Sequence, residues 1–223
     1  MSGIAKNIIS LKKELPEGVK LVAVSKTKPV SDILVAYNAG HRIFGENRVQ
    51  ELISKKDLLP DDIEWHLIGH LQSNKVKFIV PFISMIHSVD SYKLLKVING
   101  EGNKISRKID CLLQFHIAAE ETKFGFDMEE VVSMISTAGF NLLDSVRLCG
   151  VMGMATFTED ERQVRNEFRY LADCFRELKS KFFMENDSFR EISMGMSGDF
   201  KIAIEEGSTI IRLGSVIFGE RNN

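Results

Sequence analysis

The sequence of 223 residues predicts a single (β/α)8 barrel of the TIM type. Short apolar runs alternate with amphipathic helical segments, and this alternation repeats eight times at roughly 28 residues per unit. The polar residues able to do chemistry collect where the apolar runs end. A doubly wound open sheet is the alternative, but no GxGxxG motif follows a predicted strand and no linker divides the chain. We therefore expect one domain over residues 1–223.

The first half of the chain holds four predicted strands. An amphipathic helix over residues 1–14 precedes the first strand, whose small and apolar residues lead into Lys26. Pro29 closes this segment because it has no N–H to donate to a sheet. Ser31 and Asp32 are expected to cap the next helix. The other strands of this half are expected at residues 42–47, 64–69 and 84–89, and the helices at 31–38, 49–59 and 92–98.

The second half repeats the alternation. Its longest helix carries Phe168, Leu171, Phe175 and Leu178 at helical spacing, which predicts one apolar face. Parallel strands that are buried on both faces need helices around them, so these segments complete a barrel whose strand C-termini meet on one face. The strands are expected at residues 110–117, 146–154, 191–196 and 209–213, and the helices at 128–138, 159–183 and 201–206.

Composition and charge favour an ordinary globular protein of the cytoplasm. Hydrophobic residues make up 44% of the chain, and 29 Lys and Arg nearly balance 31 Asp and Glu. We therefore expect a monomer with neither nucleic acid nor a membrane as partner. The longest apolar run, residues 78–86, contains a proline and is too short to span a membrane. Cys111, Cys149 and Cys174 lie far apart, which indicates reduced thiols rather than a disulfide framework.

Lys26 stands at the end of the first predicted strand, where parallel barrels place their chemistry. A lysine amine that is partly removed from water has a lowered pKa and becomes a nucleophile for a carbonyl carbon. The alternative is a lysine that extends its amine to solvent. Polar or small residues follow the other strands in the same way and would converge on the same face: Asn47, His70, Asp90, Ser197, Gly214 and Ser215.

Two glycine-containing turns after the seventh and eighth strands predict an anion site. Residues 193–199 combine glycines, hydroxyl groups and a helix start, and residues 212–215 repeat that chemistry. Barrels commonly bind phosphate between the loops that follow these two strands. The alternative is a pair of ordinary turns, in which Gly and Ser are also frequent.

An amine that faces a phosphate site indicates a phosphorylated aldehyde or ketone bound covalently to Lys26. Two ligands fit this description: pyridoxal phosphate, and the sugar phosphate of a lysine-dependent aldolase. The residues alone do not choose between them. No metal site is expected, because His66 and His70 flank a strand end and do not share a face.

Seven short motifs, in order along nearly the whole chain, resemble those of the pyridoxal phosphate homeostasis proteins. That family has the barrel of the alanine racemase N-terminal domain, the type III fold of pyridoxal phosphate proteins, and the resemblance implies the same barrel here. Phe124-Gly125-Phe126, after Lys123, also resembles a loop of the family. The motifs are AVSKTKP at 23–29, FGEN at 44–47, WHLIGHLQSNK at 65–75, HSVDS at 87–91, GVMGM at 150–154, SMGMS at 193–197, and RLG through FG at 212–219.

The resemblance implies a role for eight residues. Lys26 would form the internal aldimine with pyridoxal 5′-phosphate, and Arg212 would face the pyridine nitrogen. Lys28 is the rival for the covalent bond, because residues two apart on a strand share a face. The phosphate would be held by Ser197, Gly214 and Ser215, and the pocket would be lined by Asn47, His70 and Met196.

The same resemblance implies limited catalysis. A guanidinium cannot pass a proton to the ring nitrogen, so the ring stays a weak electron sink. A racemase of this kind also needs a second acid or base, a tyrosine from an additional domain of a partner subunit. This sequence ends four residues after Gly219, and we expect its tyrosines, Tyr37, Tyr92 and Tyr170, to lie in helices away from the mouth.

We therefore expect a protein that holds pyridoxal 5′-phosphate as a lysine aldimine and acts in vitamin B6 homeostasis, without dedicated catalytic turnover. Its partners would be the cofactor and the apo forms of pyridoxal phosphate dependent enzymes as recipients. The alternative is a slow amino-acid racemase in which Lys26 works with water or with Lys28.

Overall fold

The computed structural model describes residues 3–119 and 124–220, and strands and helices alternate along them. The strands are β1 (Lys20–Val24), β2 (Ile43–Glu46), β3 (Glu64–Leu67), β4 (Met85–Val89), β5 (Ile109–Gln114), β6 (Val146–Met152), β7 (Glu191–Ser193) and β8 (Ile210–Leu213). The helices are α1 (Gly3–Glu14), α2 (Val30–Asn38), α3 (Val49–Lys56), α4 (Val76–Ile79), α5 (Tyr92–Lys104), α6 (Met128–Ile135), α7 (Glu161–Lys181), α8 (Phe200–Glu205) and α9 (Ser215–Phe218). Short 3-10 turns lie at Ser73–Lys75 and Phe140–Leu142.

The strands form one closed parallel barrel in chain order. Each strand pairs with the next, and β8 closes the ring on β1, with Lys20 beside Ile210 and Ala23 beside Leu213. Parallel neighbours cannot be joined by a tight turn, so helical segments make the crossovers. The predicted (β/α)8 barrel is therefore confirmed, and the C-termini of these strands lie on one face.

Apolar side chains are buried in two layers. Large residues such as Phe44, Phe115 and Phe168 lie in the cluster between strands and helices. The predicted apolar face of α7 belongs to this layer, since Leu171 and Leu178 are fully buried. Apolar burial contributes about 25 cal/mol per Å², so the larger outer layer supplies most of the stabilisation. A smaller cluster fills part of the barrel interior: Val22, Met85, Leu112, Cys149, Met152 and Ile210.

The start of α2 corrects one prediction. Pro29 occupies the N-cap position and makes no side-chain hydrogen bond, and the helix begins at Val30. The expected cap by Ser31 and Asp32 is therefore wrong. Proline already has a φ close to the helical value, so the helix can begin directly after it without a polar cap. Asp32 lies in the first turn instead, where its charge favours the positive end of the helix.

Some helical segments are longer than predicted or were not predicted. α5 continues beyond residue 98 to Lys104, although Gly100 and Gly102 weaken helix propensity. Gly102 is needed for packing, because a Cβ there would lie 2.8 Å from the Arg107 carbonyl oxygen. The four-residue helices α4 and α9 were not predicted, since one turn is too short to show a helical period.

Two further predictions concern the whole chain. Cys111, Cys149 and Cys174 are all buried and form no disulfide. Over residues 3–119 and 124–220, no helix combines the length and the apolar character that crossing a membrane requires.

Candidate functional site

A cavity of about 850 Å³ opens on the face where the strands end. Its wall includes Lys28, from the turn after β1, together with Phe157 from the loop after β6. Segments that are distant in the sequence meet at this cavity, because the C-terminal ends of the parallel strands lie on one face of the barrel. Seven of the eight predicted site residues line the cavity: Lys26, Asn47, Met196, Ser197, Arg212, Gly214 and Ser215.

His70 is the predicted site residue that does not line this cavity. Its Nδ1 lies 3.0 Å from Oδ2 of Asp90, and its ring stacks on Phe124 with 4.5 Å between the ring centroids. Two of the predicted strand-end residues thus meet each other beside the cavity rather than inside it. Lys123, which precedes Phe124 in the resemblance, lies outside the described residues.

The turn that carries Lys26 is held by a buried polar group, here termed the lysine clamp: Ser25, Glu46, Glu51 and Lys55. Lys55 Nζ donates to both carboxylates, at 2.8 Å from Glu46 Oε1 and 2.6 Å from Glu51 Oε1. The same amine donates to the Ser25 carbonyl at 2.9 Å, and Ser25 Oγ donates to Glu46 Oε1 at 2.6 Å. These bonds fix the backbone immediately before Lys26.

The lysine clamp also holds the residue after Lys26. Thr27 has a φ of +63°, a left-handed conformation that is strained for a residue with a branched Cβ. Its N–H donates to Glu51 Oε1 at 2.5 Å. Because both neighbours of Lys26 are held, the clamp sets the point and direction at which the Lys26 side chain leaves the backbone.

Charge balance makes the lysine clamp a single unit. Burial raises the pKa of Glu46, and hydrogen bonds from Lys55 and Ser25 oppose that rise. The Glu46 side chain is fully buried, and its Oε2 has no hydrogen-bond partner among the described residues. A buried carboxylate is tolerated only beside a cation, and Lys55, whose side chain is 8% exposed, is that cation.

Lys28 uses its amine for a structural purpose. Its Nζ donates to the carbonyl oxygens of Phe218, Gly219 and Glu220 at 3.2, 3.3 and 3.2 Å. These carbonyls lie at the C-terminal end of α9, where a cation is favourable. The contacts bind the β1 turn to α9.

The loops after β7 and β8 offer hydrogen-bond donors to the cavity. α9 begins at Ser215 directly after Gly214, and its first helical hydrogen bonds run from the N–H groups of Ile217 and Phe218 to the Gly214 carbonyl. The N–H groups of Ser215 and Val216 precede these bonds and have no acceptor within the helix. In the loop after β7, Ser197 adds a hydroxyl group, and Gly198 leaves open space where a side chain would otherwise stand. These small residues and donors suit an anion such as phosphate.

Arg212 lies at the base of the cavity and is 3% exposed. Burial lowers the pKa of its guanidinium to about 10, which still leaves the group charged at neutral pH. Nη1 donates to Ser193 Oγ at 2.6 Å, and Nη2 donates to the Gly153 carbonyl at 3.0 Å. Two acceptors from different segments hold the plane of the guanidinium.

Behind Arg212 a row of hydrogen-bonded side chains crosses the barrel interior, here termed the interior chain: Arg212, Ser193, His87 and His66. Ser193 Oγ lies 2.9 Å from His87 Nδ1, and His87 Nε2 lies 2.9 Å from His66 Nδ1. Burial lowers the pKa of His66 to about 3 and the pKa of His87 well below its usual value. Both rings are therefore neutral at neutral pH.

Asn47 follows β2 and lines the cavity. Its Oδ1 is buried and has no hydrogen-bond partner among the described residues. Buried polar atoms without a partner are rare in proteins, so this amide indicates a ligand that carries a complementary polar group.

Several residues of the lysine clamp and of the interior chain were not predicted as parts of the site. Glu46, His87 and Ser193 belong to short strands whose residues are nearly all buried, and a polar side chain there must be buried with a partner. That pattern could have identified them. Lys55 gave no such signal, because a lysine on an amphipathic helix is usually exposed.

The chain is similar to known proteins over nearly its whole length. The family model described as the alanine racemase N-terminal domain matches residues 1–222. The pyridoxal phosphate homeostasis protein of Aquifex aeolicus (strain VF5) is 40% identical over 204 residues, which cover 91% of this chain and 87% of the relative. The protein of the same name from Homo sapiens is 38% identical over 213 residues, which cover 91% of this chain and 77% of the relative.

Solved structures show the same barrel. PipY of Synechococcus elongatus PCC7942 with PLP bound is 36% identical and superposes with a TM-score of 0.85, covering 97% of this chain and 100% of the PipY chain. The alanine racemase of Clostridium difficile 630 superposes with a TM-score of 0.74 at 14% identity, covering 99% of this chain and 56% of the racemase. The second similarity concerns the fold alone.

Proposed function

Since this chain belongs to the alanine racemase N-terminal domain family and, within it, to the pyridoxal phosphate homeostasis proteins, as its motifs predicted, we propose that it binds pyridoxal 5′-phosphate (PLP) in the cavity and acts in PLP homeostasis. One observation carries the proposal. The Lys26 side chain, the Arg212 guanidinium and the start of α9 line the same cavity.

The residues of the cavity fit the groups of PLP. An aldehyde needs an amine, a phosphate needs N–H and hydroxyl donors, and a pyridine nitrogen needs a donor that keeps its own proton. Lys26, Ser197 with the start of α9, and Arg212 offer these three. A cavity of about 850 Å³ is in the usual range for small-molecule sites. A sugar phosphate, the other ligand left open by the residues, has no ring nitrogen to engage the buried guanidinium.

Each residue then has a role in holding the cofactor. Lys26 would hold the aldehyde carbon covalently, with the aldehyde oxygen leaving as water, and the lysine clamp positions the Lys26 side chain for that bond. Ser197, Gly214 and Ser215 hold the phosphate, while Asn47 and Met196 line the space for the ring. When bound, PLP supplies an electrophilic carbon conjugated to an electron-withdrawing ring.

Arg212 and the tyrosines support holding rather than turnover. A guanidinium with a pKa of about 10 donates a hydrogen bond but keeps its proton, so Arg212 would not protonate a ring nitrogen placed against it. Tyr37, Tyr92 and Tyr170 lie on α2, α5 and α7 outside the barrel, and none of them lines the cavity. We therefore propose a binding protein without dedicated turnover.

The test combines borohydride reduction with two lysine variants. After incubation with PLP and reduction, mass spectrometry should find the adduct on Lys26 in the wild-type protein. Lys26→Ala should lose the adduct and the yellow colour, whereas Lys28→Ala should keep both, which makes it the matched control from the same cavity. An adduct on Lys28 in the wild-type protein, or no adduct at all, would contradict the proposal.

A slow amino-acid racemase is the second candidate, favoured by the presence of Lys28 in the same cavity as Lys26. Incubation of the PLP-loaded protein with a single enantiomer should then give sustained racemisation above the rate with free PLP. A rate equal to that of free PLP would exclude this candidate.

We also propose that the protein is a cytoplasmic monomer that delivers PLP to the apo forms of PLP-dependent enzymes. The open mouth supports this, because Phe157 on its rim is 99% exposed. Loaded protein should reactivate an apoenzyme even when a scavenger removes free PLP, and light scattering should give the mass of one chain. Reactivation that the scavenger abolishes would exclude direct delivery.

A further inference from the structure

The interior chain connects the base of the cavity to a strand on the other side of the barrel. Arg212 on β8, Ser193 on β7, His87 on β4 and His66 on β3 are each 4% exposed or less. Consecutive members are joined by hydrogen bonds of 2.6, 2.9 and 2.9 Å. Such a buried row of polar groups is stable only when every donor meets an acceptor.

The direction of these hydrogen bonds follows from Arg212. A guanidinium has only donors, so Ser193 Oγ accepts the N–H of Arg212. The hydroxyl proton of Ser193 then needs an acceptor, and His87 Nδ1 is 2.9 Å away. His87, being neutral, must carry its proton on Nε2, which donates to His66 Nδ1. His66 therefore also carries its proton on Nε2.

The opposite direction is unfavourable. If His87 carried its proton on Nδ1, Ser193 Oγ would accept from both Arg212 and His87, and its own O–H would compete for an acceptor in a fully buried position. A charged His87 would place a second cation beside the Arg212 guanidinium. Burial lowers the pKa of both histidines, which agrees with two neutral rings.

We propose that Ser193, His87 and His66 are positioning residues that fix the Arg212 guanidinium through a hydrogen-bond chain of single direction, with both histidines neutral and protonated on Nε2. The part of this inference that concerns the cofactor rests on the proposed function. Ser193 holds one terminal nitrogen of Arg212 and the Gly153 carbonyl holds the other, so the guanidinium can present its remaining N–H groups to a ring nitrogen in one orientation only.

The first test measures the histidine tautomers in the wild-type protein without added PLP. Two-bond ¹H–¹⁵N correlation spectra of protein labelled at its histidines report which ring nitrogen carries the proton. His66→Gln and His87→Gln spectra assign the signals. At pH 7 both rings should be neutral with the proton on Nε2. A proton on Nδ1 of either ring, or an imidazolium, would overturn the proposal, and this result does not depend on cofactor binding.

The second test changes the link between the histidines and Arg212. Ser193→Ala removes the acceptor of Arg212 Nη1, so the dissociation constant for PLP should rise about tenfold and the absorption maximum of the bound cofactor should shift. Ser193→Thr keeps the hydroxyl group and should restore both values toward wild type. An unchanged dissociation constant and spectrum in Ser193→Ala would overturn the positioning role.

Ser208→Ala is the matched control. Ser208 is equally buried and its Oγ bonds the Met194 and Ile210 carbonyl oxygens, but it is not part of the interior chain. This variant should lose stability without a change in the cofactor spectrum, so a spectral shift equal to that of Ser193→Ala would also count against the proposal. If the wild-type protein bound no PLP, the proposed function would fail, while the tautomers would still decide the direction of the chain.

Discussion

The lysine clamp and the interior chain both support the cavity, and they do so by different means. The clamp joins one amine to two carboxylates and fixes main-chain groups on either side of Lys26. The interior chain carries one charge, on Arg212, and continues through neutral donors and acceptors to fix a side chain. The barrel thus positions a flexible lysine through its backbone and a planar arginine through its hydrogen-bonding fork.

This difference predicts unequal sensitivity to substitution. In the clamp, the loss of the single cation, Lys55, leaves two carboxylates without their counter-charge. In the interior chain, the loss of one neutral group leaves a single unpaired donor or acceptor. Changes in the clamp should therefore cost more stability, and changes in the interior chain should affect the bound cofactor more than the fold.

The largest effect is expected from Lys55→Met. Removal of the cation leaves Glu46 and Glu51 facing each other, and breaking a buried ion pair costs about 3–5 kcal/mol. Chemical denaturation should show this loss in the free energy of unfolding. Lys56→Met, at the next and more exposed position of α3, should change it by less than about 0.5 kcal/mol. Equal effects of the two substitutions would show that the clamp is not a buried charged unit.

Acidification should change the stability contributed by His66, in the interior chain, and by Glu46, in the lysine clamp, in opposite directions. His66 has a pKa of about 3 in the folded state and about 6.5 unfolded, so the unfolded chain binds the proton first as the pH falls below 6.5. The stability that neutral His66 contributes above pH 6.5 is therefore lost on acidification, by about 2 kcal/mol between pH 6.5 and 4.5. Glu46 acts oppositely, because its raised folded pKa makes the native state lose stability as the pH rises above 4.5.

The measurement is the free energy of unfolding between pH 4.5 and 7 for the wild type and two variants. His66→Gln should make the fall on acidification shallower, whereas Glu46→Gln should make it steeper. His41, whose pKa burial lowers to about 4, stays in all three proteins and contributes equally to each. A pH dependence that neither variant changes would contradict the assigned protonation states.

The sequence predicted the barrel and the ends of its strands but not the groups behind the cavity. Lys26, Arg212 and the turns near Ser197 and Gly214 were predictable, because a residue at a strand end has a defined place in a barrel. His70 occupies such a place too, yet its ring turns to Asp90 and Phe124, a choice of rotamer that spacing does not encode. Sequence position fixes the face of a residue, and packing fixes its direction.

The contacts within the lysine clamp could not be predicted from the sequence, for a related reason. Lys55 and Glu46 are nine residues apart and lie on a helix and a strand, and their contact depends on how α3 packs on β2. The packing angle between α3 and β2 produces no periodic pattern in the sequence. The capping prediction at Ser31 and Asp32 failed because Pro29, which was predicted only to end the β1 segment, also allows the helix to begin directly after it.

Glu51→Ala should have a smaller effect on stability and a clear effect on Lys26. It removes the acceptor of the Thr27 N–H and one partner of Lys55, which should cost about 1–2 kcal/mol. Because Thr27 is strained at a φ of +63°, its turn should relax, and trapping of PLP on Lys26 by borohydride should become slower. Gln50→Ala, at an exposed position of the same helix, should leave the trapping rate unchanged. A wild-type rate in Glu51→Ala would show that the clamp does not position Lys26.

Lys28→Ala should have the smallest effect on stability of the substitutions considered. Lys28 belongs to neither the lysine clamp nor the interior chain, and its amine caps the exposed end of α9, so its loss should cost about 0.5 kcal/mol. Since α9 begins at the proposed phosphate site, the dissociation constant for PLP should rise about threefold while the covalent bond to Lys26 is kept. Lys12→Ala removes a comparable lysine contact, to the Gly40 carbonyl after α2, and should leave PLP binding unchanged. If both variants bound PLP as the wild type does, the Lys28 contacts at the C-terminal end of α9 would have no effect on PLP binding at its N-terminal end. Lys28 would then stabilise only the β1 turn.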